Sequence, residues 1–143
     1  MIKKILAAFL IISILAACGK QNATPSVPVN DMVDTTASGL SFTGSFMNGP
    51  YGAVTGIVNI YTDSDNDVLA LKDFETSNGP DLHVYLSQEE QPIHFIDLGK
   101  LKSTNGNQVY NIPPGTDFEK YKYALIHCQQ YNHLFGSTIL EKQ

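Results

Sequence analysis

The chain has 143 residues, a length that favours one domain, because no second stretch is long enough to bury a core of its own. Hydrophobic residues make up 43% of it and charged residues 16%, a balance typical of a folded protein. The chain has nine basic residues, all of them lysines, and 14 acidic residues. Beyond the N-terminus the lysines are scattered and form no cluster. The sequence lacks the basic surface that a nucleic-acid backbone requires, so we expect no nucleic-acid partner.

The N-terminus has the pattern of an export signal. Lys3 and Lys4 precede an apolar run, Ile5–Leu15, that is too short to span a bilayer. The run ends in Leu15-Ala16-Ala17-Cys18, which matches the lipobox of bacterial lipoproteins. We therefore predict a lipoprotein signal peptide over residues 1–17 and a lipid on Cys18 that holds the protein on a membrane. Loss of both lysines with the signal lowers the formal net charge from −5 to −7.

A lipid on Cys18 predicts attachment to the cell membrane or the outer membrane, on the extracytoplasmic side, with membrane lipid as a partner. An ordinary cleaved signal and a single transmembrane anchor are the alternatives. Gly19 follows the lipobox where an aspartate would resemble an inner-membrane retention signal, which favours the outer membrane in a Gram-negative host. Residues 18–38 contain many Asn, Thr, Ser and Pro residues without a sustained period, so we predict a flexible linker there.

Residues 39–143 show runs of β-branched and aromatic residues separated by Gly, Pro, Asn and Asp. This pattern predicts an all-β fold, a single small sandwich or barrel of about seven to eight mostly antiparallel strands. The predicted strands are Leu40–Phe46, Ala53–Thr62, Val68–Leu71, Asp81–Leu86, Ile93–Leu98, Gln108–Ile112, Tyr121–Cys128 and Ser137–Leu140.

Several segments of this region resemble one known family. In chain order they are Gly44-Ser45-Phe46, Val54-Thr55-Gly56, Leu69-Ala70-Leu71, Gly79-Pro80-Asp81-Leu82-His83-Val84-Tyr85-Leu86, Gly106–Pro113 and Ala124–Cys128. Together they resemble the DM13 domain of animal extracellular and bacterial envelope proteins. His127 departs from the family's usual Trp, Tyr131 from its Phe and Thr138 from its Ala. The resemblance implies a β fold and a redox or electron-transfer accessory that uses a cysteine, here Cys128.

Once Cys18 is lipidated, Cys128 is the only thiol, so no intramolecular disulfide can form. Strand alternation places Cys128 with Ala124 and Ile126 on the core side and His127 on the other side. Two interpretations remain open. Cys128 is either a reactive thiol or redox-metal ligand, or a buried residue that packs as a small hydrophobe.

Five residues are candidate neighbours of a site at Cys128, from their place in the chain or in the DM13-like segments: Asp81, Tyr85, His127, Tyr131 and His133. The spacing of His83, His94, His127 and His133 matches no metal motif, so we predict no metal site and no required cofactor. A copper or haem iron between Cys128 and His133 is the alternative.

Asp63, Asp65 and Asp67 alternate like the first ligands of a calcium loop. Val68 and Phe74 stand where that loop needs Gly and Glu, which favours a polar hairpin turn.

No Ser/His/Asp motif, phosphate-binding glycine loop or hydrolytic carboxylate pair is present, so we do not expect an enzyme. The first functional hypothesis is an envelope electron-transfer accessory with a redox partner or another envelope protein. The second is a binding or assembly module whose contact residues are Tyr110, Tyr121, Tyr123 and Tyr131. A third, an extracytoplasmic enzyme acting on small molecules or glycans, needs a polar pocket that the sequence does not reveal.

Overall fold

The computed structural model of the chain describes residues 23–36, 38–64 and 66–143. The predicted signal peptide, Cys18 with its predicted lipid, and Asp65 of the predicted polar turn lie outside the described residues. Within them, no helix is long and apolar enough to cross a membrane. The strands are β1 (Val29–Asn30), β2 (Gly39–Ser45), β3 (Met47–Asn48), β4 (Val54–Thr62), β5 (Asp67–Thr76), β6 (Leu82–Ser87), β7 (Phe95–Lys100), β8 (Asn105–Ile112), β9 (Tyr123–Cys128), β10 (His133–Ile139) and β11 (Glu141–Lys142).

The strands form two sheets. The first has the order β1-β8-β5-β4-β2-β11 and the second the order β3-β10-β9-β6-β7. Every pairing is antiparallel except that of β1 with β8. The predicted all-β, mostly antiparallel sandwich is therefore confirmed.

The main core lies between the sheets, because each strand turns alternate side chains inward. Its members from the first sheet include Val58, Ile60, Leu69, Leu71 and Phe74, and those from the second include Leu82, Val84, Leu86, Ala124 and Ile126. Burying one such Val, Leu or Ile side chain contributes about 1.5–3 kcal/mol.

The second sheet is also buried on its outer face. Tyr85, Leu125 and Leu134 form a smaller apolar cluster there, against which Tyr123 packs. Residues 88–94 reach over this face, since Glu90 Oε1 accepts a hydrogen bond from Ser137 Oγ at 2.9 Å. All six residues of β6 are consequently buried, and four of them are apolar or aromatic, the exceptions being His83 and Ser87.

Three predicted strands are longer in the structure, and one of them, Gln108–Ile112, begins at Asn105. Val68–Leu71 extends to Thr76 because a register shift between Leu71 and Phe74, with a φ of 49° at Asp73, returns Phe74 to the core. The last predicted strand begins at His133 rather than Ser137. Bulges of this kind break the two-residue period, so the pattern in the sequence ends before the strand does.

The predicted flexible linker differs from the structure over residues 23–31, which we call the N-terminal segment. Ala23 forms a β-bridge with Pro80, and β1 adds a parallel strand to the edge of β8. Gly106 permits this approach, since a Cβ there would lie 2.0 Å from the Val29 carbonyl oxygen. Asp31 then forms an ion pair with Lys102 and accepts the backbone N–H of Val109. Hydrogen bonds that the local composition does not reveal hold this segment against the domain.

The connections between long strands divide between two ends of the sandwich. Residues 49–53, 77–81, 101–104 and 129–132 lie at one, which we call the Cys128 end. Residues 63–66, 88–94 and 113–122 lie at the other, the opposite end.

Candidate functional site

Cys128 is the last residue of β9, and its side chain belongs to the main core, as strand alternation predicts. Only 1% of the residue is exposed, and its Sγ donates a hydrogen bond to the Pro80 carbonyl oxygen at 2.9 Å. A carbonyl oxygen can only accept, so the S–H of Cys128 is the donor in this contact. Cys128 is therefore a packed, hydrogen-bonded residue.

The turn from Gly79 to Asp81 covers this thiol. Asp81 has a φ of 55°, and its carbonyl oxygen accepts the backbone N–H of Gln129 at 3.0 Å. A Cβ at Gly79 would lie 2.5 Å from the Phe135 ring, so glycine lets the turn pack on the core. The motif therefore has a structural role in the turn. Movement of Pro80 would break the hydrogen bond to Cys128.

A charged network lies on the other face of the second sheet. His83 Nδ1 is 2.9 Å from Asp97 Oδ2, and its Nε2 is 3.3 Å from Asp81 Oδ1. Lys100 Nζ is 3.2 Å from the same Asp81 oxygen. Burial acts to raise the pKa of Asp81, but hydrogen bonds from Lys100 and His83 outweigh it and lower the pKa. Asp81 is therefore a paired carboxylate at neutral pH.

An aromatic stack adjoins this network. The Tyr85 ring centroid lies 4.3 Å from that of Phe95 and 5.2 Å from that of His127, with interplanar angles of 22° and 29°. Gln129 Nε2 donates a hydrogen bond to the Tyr85 hydroxyl at 3.2 Å. Burial raises the pKa of Tyr85, so the phenol is neutral at physiological pH. Tyr85 and His127 are thus buried in this stack, and Phe95, which is 40% exposed, forms its outer side.

His127 is a buried neutral base. The residue is 4% exposed, and its Nδ1 has no hydrogen-bond partner among the described residues. Burial lowers the pKa of His127 from its usual 6.5, while a hydrogen bond with Asn132 acts in the opposite direction. Its position opposite His83 in the pairing of β9 with β6 places two imidazoles side by side on this face.

The lowered pKa of His127 predicts a pH-dependent stability. The unfolded chain binds a proton near pH 6.5 before the folded chain does, so the free energy of unfolding falls as pH drops through this window. For this one proton, the free energy of unfolding should fall by at most about 1.4 kcal/mol per pH unit. His127→Phe keeps a ring against Tyr85 and does not titrate, so its urea-unfolding profile from about pH 7.5 to 5 should be flatter than that of the unmodified chain. Equal slopes would contradict the prediction.

The five predicted site neighbours come together at the Cys128 end, but on different surfaces. Asp81, Tyr85 and His127 belong to the outer-face network and stack, whereas the Cys128 thiol points to the core. His133 is the residue opposite Cys128 in the pairing of β10 with β9.

His133 faces an exposed aromatic surface. Its ring stacks on that of Tyr51 at a centroid distance of 3.7 Å and an angle of 3°. Tyr131 lies 5.9 Å from His133, centroid to centroid, and is 58% exposed. The imidazole therefore packs with tyrosine rings, while the Cys128 thiol contacts Pro80.

Sequence reasoning missed Asp97 and Lys100 of β7, and it assigned no role to His83. The signal available was a charged residue, Asp97, inside the predicted strand Ile93–Leu98. The predicted tyrosine surface also needs correction, because Tyr110 is only 5% exposed and belongs to the core. Tyr121 and Tyr123 are half-buried, so Tyr131 alone of the four is exposed.

The described residues contain no group of three or more His, Cys, Asp and Glu side chains arranged to hold a metal ion. Asp63 and Asp67 flank the connection between β4 and β5, where the Asn66 backbone N–H bonds to Asp63 Oδ1 at 2.6 Å. This confirms the predicted hairpin turn. Burial, together with the charge of Asp63, raises the pKa of Asp67.

Two mostly antiparallel sheets, a core between them and a buried cysteine under a surface turn define a small all-β domain with a single described thiol. A family model described as electron transfer DM13 matches residues 45–140. This match covers more than half of the chain, and the protein belongs to the DM13 family. Comparisons with curated proteins and with solved structures give no match.

Proposed function

We propose that this protein is an electron-transfer accessory of the cell envelope, attached to the membrane by a lipid on Cys18 and using Cys128 as its redox group. The family description and the lipobox support this proposal. The observation that carries it is the hydrogen bond from Cys128 Sγ to the Pro80 carbonyl oxygen. It places the thiol against a half-buried turn, and the proposal requires that this turn opens to release the sulfur.

The proposed reaction is thiol–disulfide exchange with envelope partners. When the turn opens, Cys128 loses its proton to solvent, and the thiolate attacks a partner disulfide. A bond forms between Cys128 Sγ and one partner sulfur, the partner S–S bond breaks, and the second sulfur leaves as a thiolate. One thiolate of a dithiol protein then attacks Cys128 Sγ in this mixed disulfide and releases the first partner's sulfur as a thiolate. The second thiol of the dithiol protein closes that protein's own disulfide and releases Cys128. Two electrons pass from the dithiol protein to the first partner.

The alternative is a binding or assembly module in which Cys128 only packs. The 1% exposure of Cys128 favours this alternative, because buried thiols are inert. The exposed rings of Tyr51 and Tyr131 would then supply part of the contact surface.

The dependence of thiol modification on urea distinguishes the two functions. A mature chain carrying Cys18→Ser has Cys128 as its only thiol. The redox proposal predicts modification through local opening, at a rate that stays nearly constant in low urea. The alternative predicts modification only through global unfolding, with a urea dependence equal to the equilibrium m value. A chain carrying both Cys18→Ser and Cys128→Ser provides the unreactive control. A urea slope equal to the full m value would refute the redox role.

A further inference from the structure

The two ends of the sandwich differ in charge. The connections at the Cys128 end contain one acidic residue, Asp81, and one lysine, Lys102. Both charges are paired. Asp81 contacts Lys100 and His83, and Lys102 contacts Asp31. The described connections at the opposite end contain five acidic residues against two lysines: Asp63, Glu89, Glu90, Asp117, Glu119, Lys120 and Lys122. The Cys128 end is close to neutral, and the opposite end is acidic.

The Cys128 end also exposes two ordered aromatic side chains. Tyr51 and Tyr131 are 56% and 58% exposed, and both rings contact His133, with centroid distances of 3.7 Å and 5.9 Å. Tyrosine is enriched where a membrane meets water, because its ring is apolar and its hydroxyl is hydrated. Stacking on His133 restrains the Tyr51 ring before any contact is made, and Tyr131 packs beside the same imidazole, which lowers the entropic cost of binding a surface.

The N-terminal segment meets the domain at this same end. Ala23 bridges to Pro80, and the Thr24 carbonyl oxygen accepts a hydrogen bond from Asn78 Nδ2 at 3.0 Å. Five residue steps separate Cys18 from Ala23, and a fully extended chain covers about 17 Å over that distance. This reach is shorter than the sandwich, since strand β5, with 10 residues, is about 33 Å long. A lipid on Cys18 therefore holds the Cys128 end near the bilayer.

We infer that the Cys128 end is the membrane-facing surface of this domain, with Tyr51 and Tyr131 against the lipid headgroups. The inference rests on the lipid on Cys18 in the proposed function. Anionic headgroups repel the acidic opposite end and leave the neutral end free to approach, so the charge distribution and the tether select the same orientation. The turn that covers Cys128 then lies on the membrane side of the domain, close to redox partners that are held in or on the bilayer.

Single tryptophans test this orientation, because the natural chain contains none. Tyr131→Trp and Tyr51→Trp report on the Cys128 end. Ile93→Trp, at a side chain that is 67% exposed in residues 88–94, is the matched control at the opposite end. Each lipidated full-length variant is reconstituted into vesicles of phosphatidylethanolamine and phosphatidylglycerol. A second set contains phosphatidylcholine brominated near the top of its acyl chains. We expect bromine to remove most of the emission of Tyr131→Trp and Tyr51→Trp and to leave that of Ile93→Trp unchanged.

Flotation of the vesicles on a density gradient separates the two ways in which the inference can fail. If the protein floats and all three variants are quenched equally, or Ile93→Trp is quenched most, the orientation is wrong while the anchor stands. If the protein does not float, the anchor is wrong and the orientation fails with it. The urea dependence of thiol modification in the Cys18→Ser chain still decides the role of Cys128 in either case.

Discussion

When the chain begins at Met32, Cys128 is expected to react with a thiol reagent about ten to a hundred times faster than it does in the mature chain carrying Cys18→Ser. The truncation removes the bridge from Ala23 to Pro80 and the hydrogen bonds that Thr24 forms with Gly79 and Asn78. These contacts bind Asn78, Gly79 and Pro80, which lie immediately before and inside the turn that covers the thiol.

The magnitude follows from the hydrogen bonds that the truncation removes. Each net hydrogen bond is worth about 0.5–1.5 kcal/mol, and about 1.4 kcal/mol changes an equilibrium constant tenfold. Two or three such bonds next to Gly79 therefore account for one to two factors of ten in the population of the open turn.

A chain that ends at Leu140 is the matched control, because it lacks β11, which like β1 is a two-residue strand at an edge of the first sheet. Its rate of Cys128 modification should be unchanged in the Cys18→Ser background. Circular dichroism under the same conditions establishes that both truncated chains are folded. Equal rates in the two truncated chains would show that the N-terminal segment does not restrain the turn.

Tyr85→Ala is expected to lower the free energy of unfolding by about 3–5 kcal/mol. Tyr85 is 1% exposed and is among the largest fully buried side chains of the described residues. Its truncation leaves Phe95 and His127 without the ring on which both stack, and it opens a cavity in the outer-face cluster. Urea unfolding followed by circular dichroism measures the change.

Two further variants separate the contributions of the Tyr85 side chain. Tyr85→Phe keeps the ring and removes the hydrogen bond from Gln129, so it should cost about 1 kcal/mol. Tyr131→Ala removes an exposed ring and should change stability by less than about 0.5 kcal/mol. A cost for Tyr85→Ala as small as that for Tyr131→Ala would mean that the outer face is not a second core.

The central strands of the fold could be predicted because their side chains alternate over several residues. Val58 and Ile60 show this period in β4, and Ala124, Ile126 and Cys128 show it in β9. Prediction failed where a bulge shifts the period, as it does between Leu71 and Phe74. It also missed β1, whose two residues are too few to show a period.

The candidate site could be predicted only in part. The DM13-like segments singled out Asp81, Tyr85 and Cys128, but not the partners that give each its environment. His83 binds Asp97 because β7 pairs with β6 in a register that shifts between Val84 and Tyr85. A register set by a bulge and a connection is a property of the folded sheet, so the pairing of charges could not be read from either strand alone.

By itself the sequence determined the β class, the family and the core-facing side of Cys128, because all three follow from short-range pattern. The export signal and the lipid on Cys18 remain predictions from the same kind of pattern. Only the tertiary structure decided that Pro80, 48 residues before Cys128, shields its thiol, and that Asn78 holds Thr24 across 54 residues. Contacts at such separations depend on how two sheets pack and which edge remains open, and local residue preferences do not encode either of these.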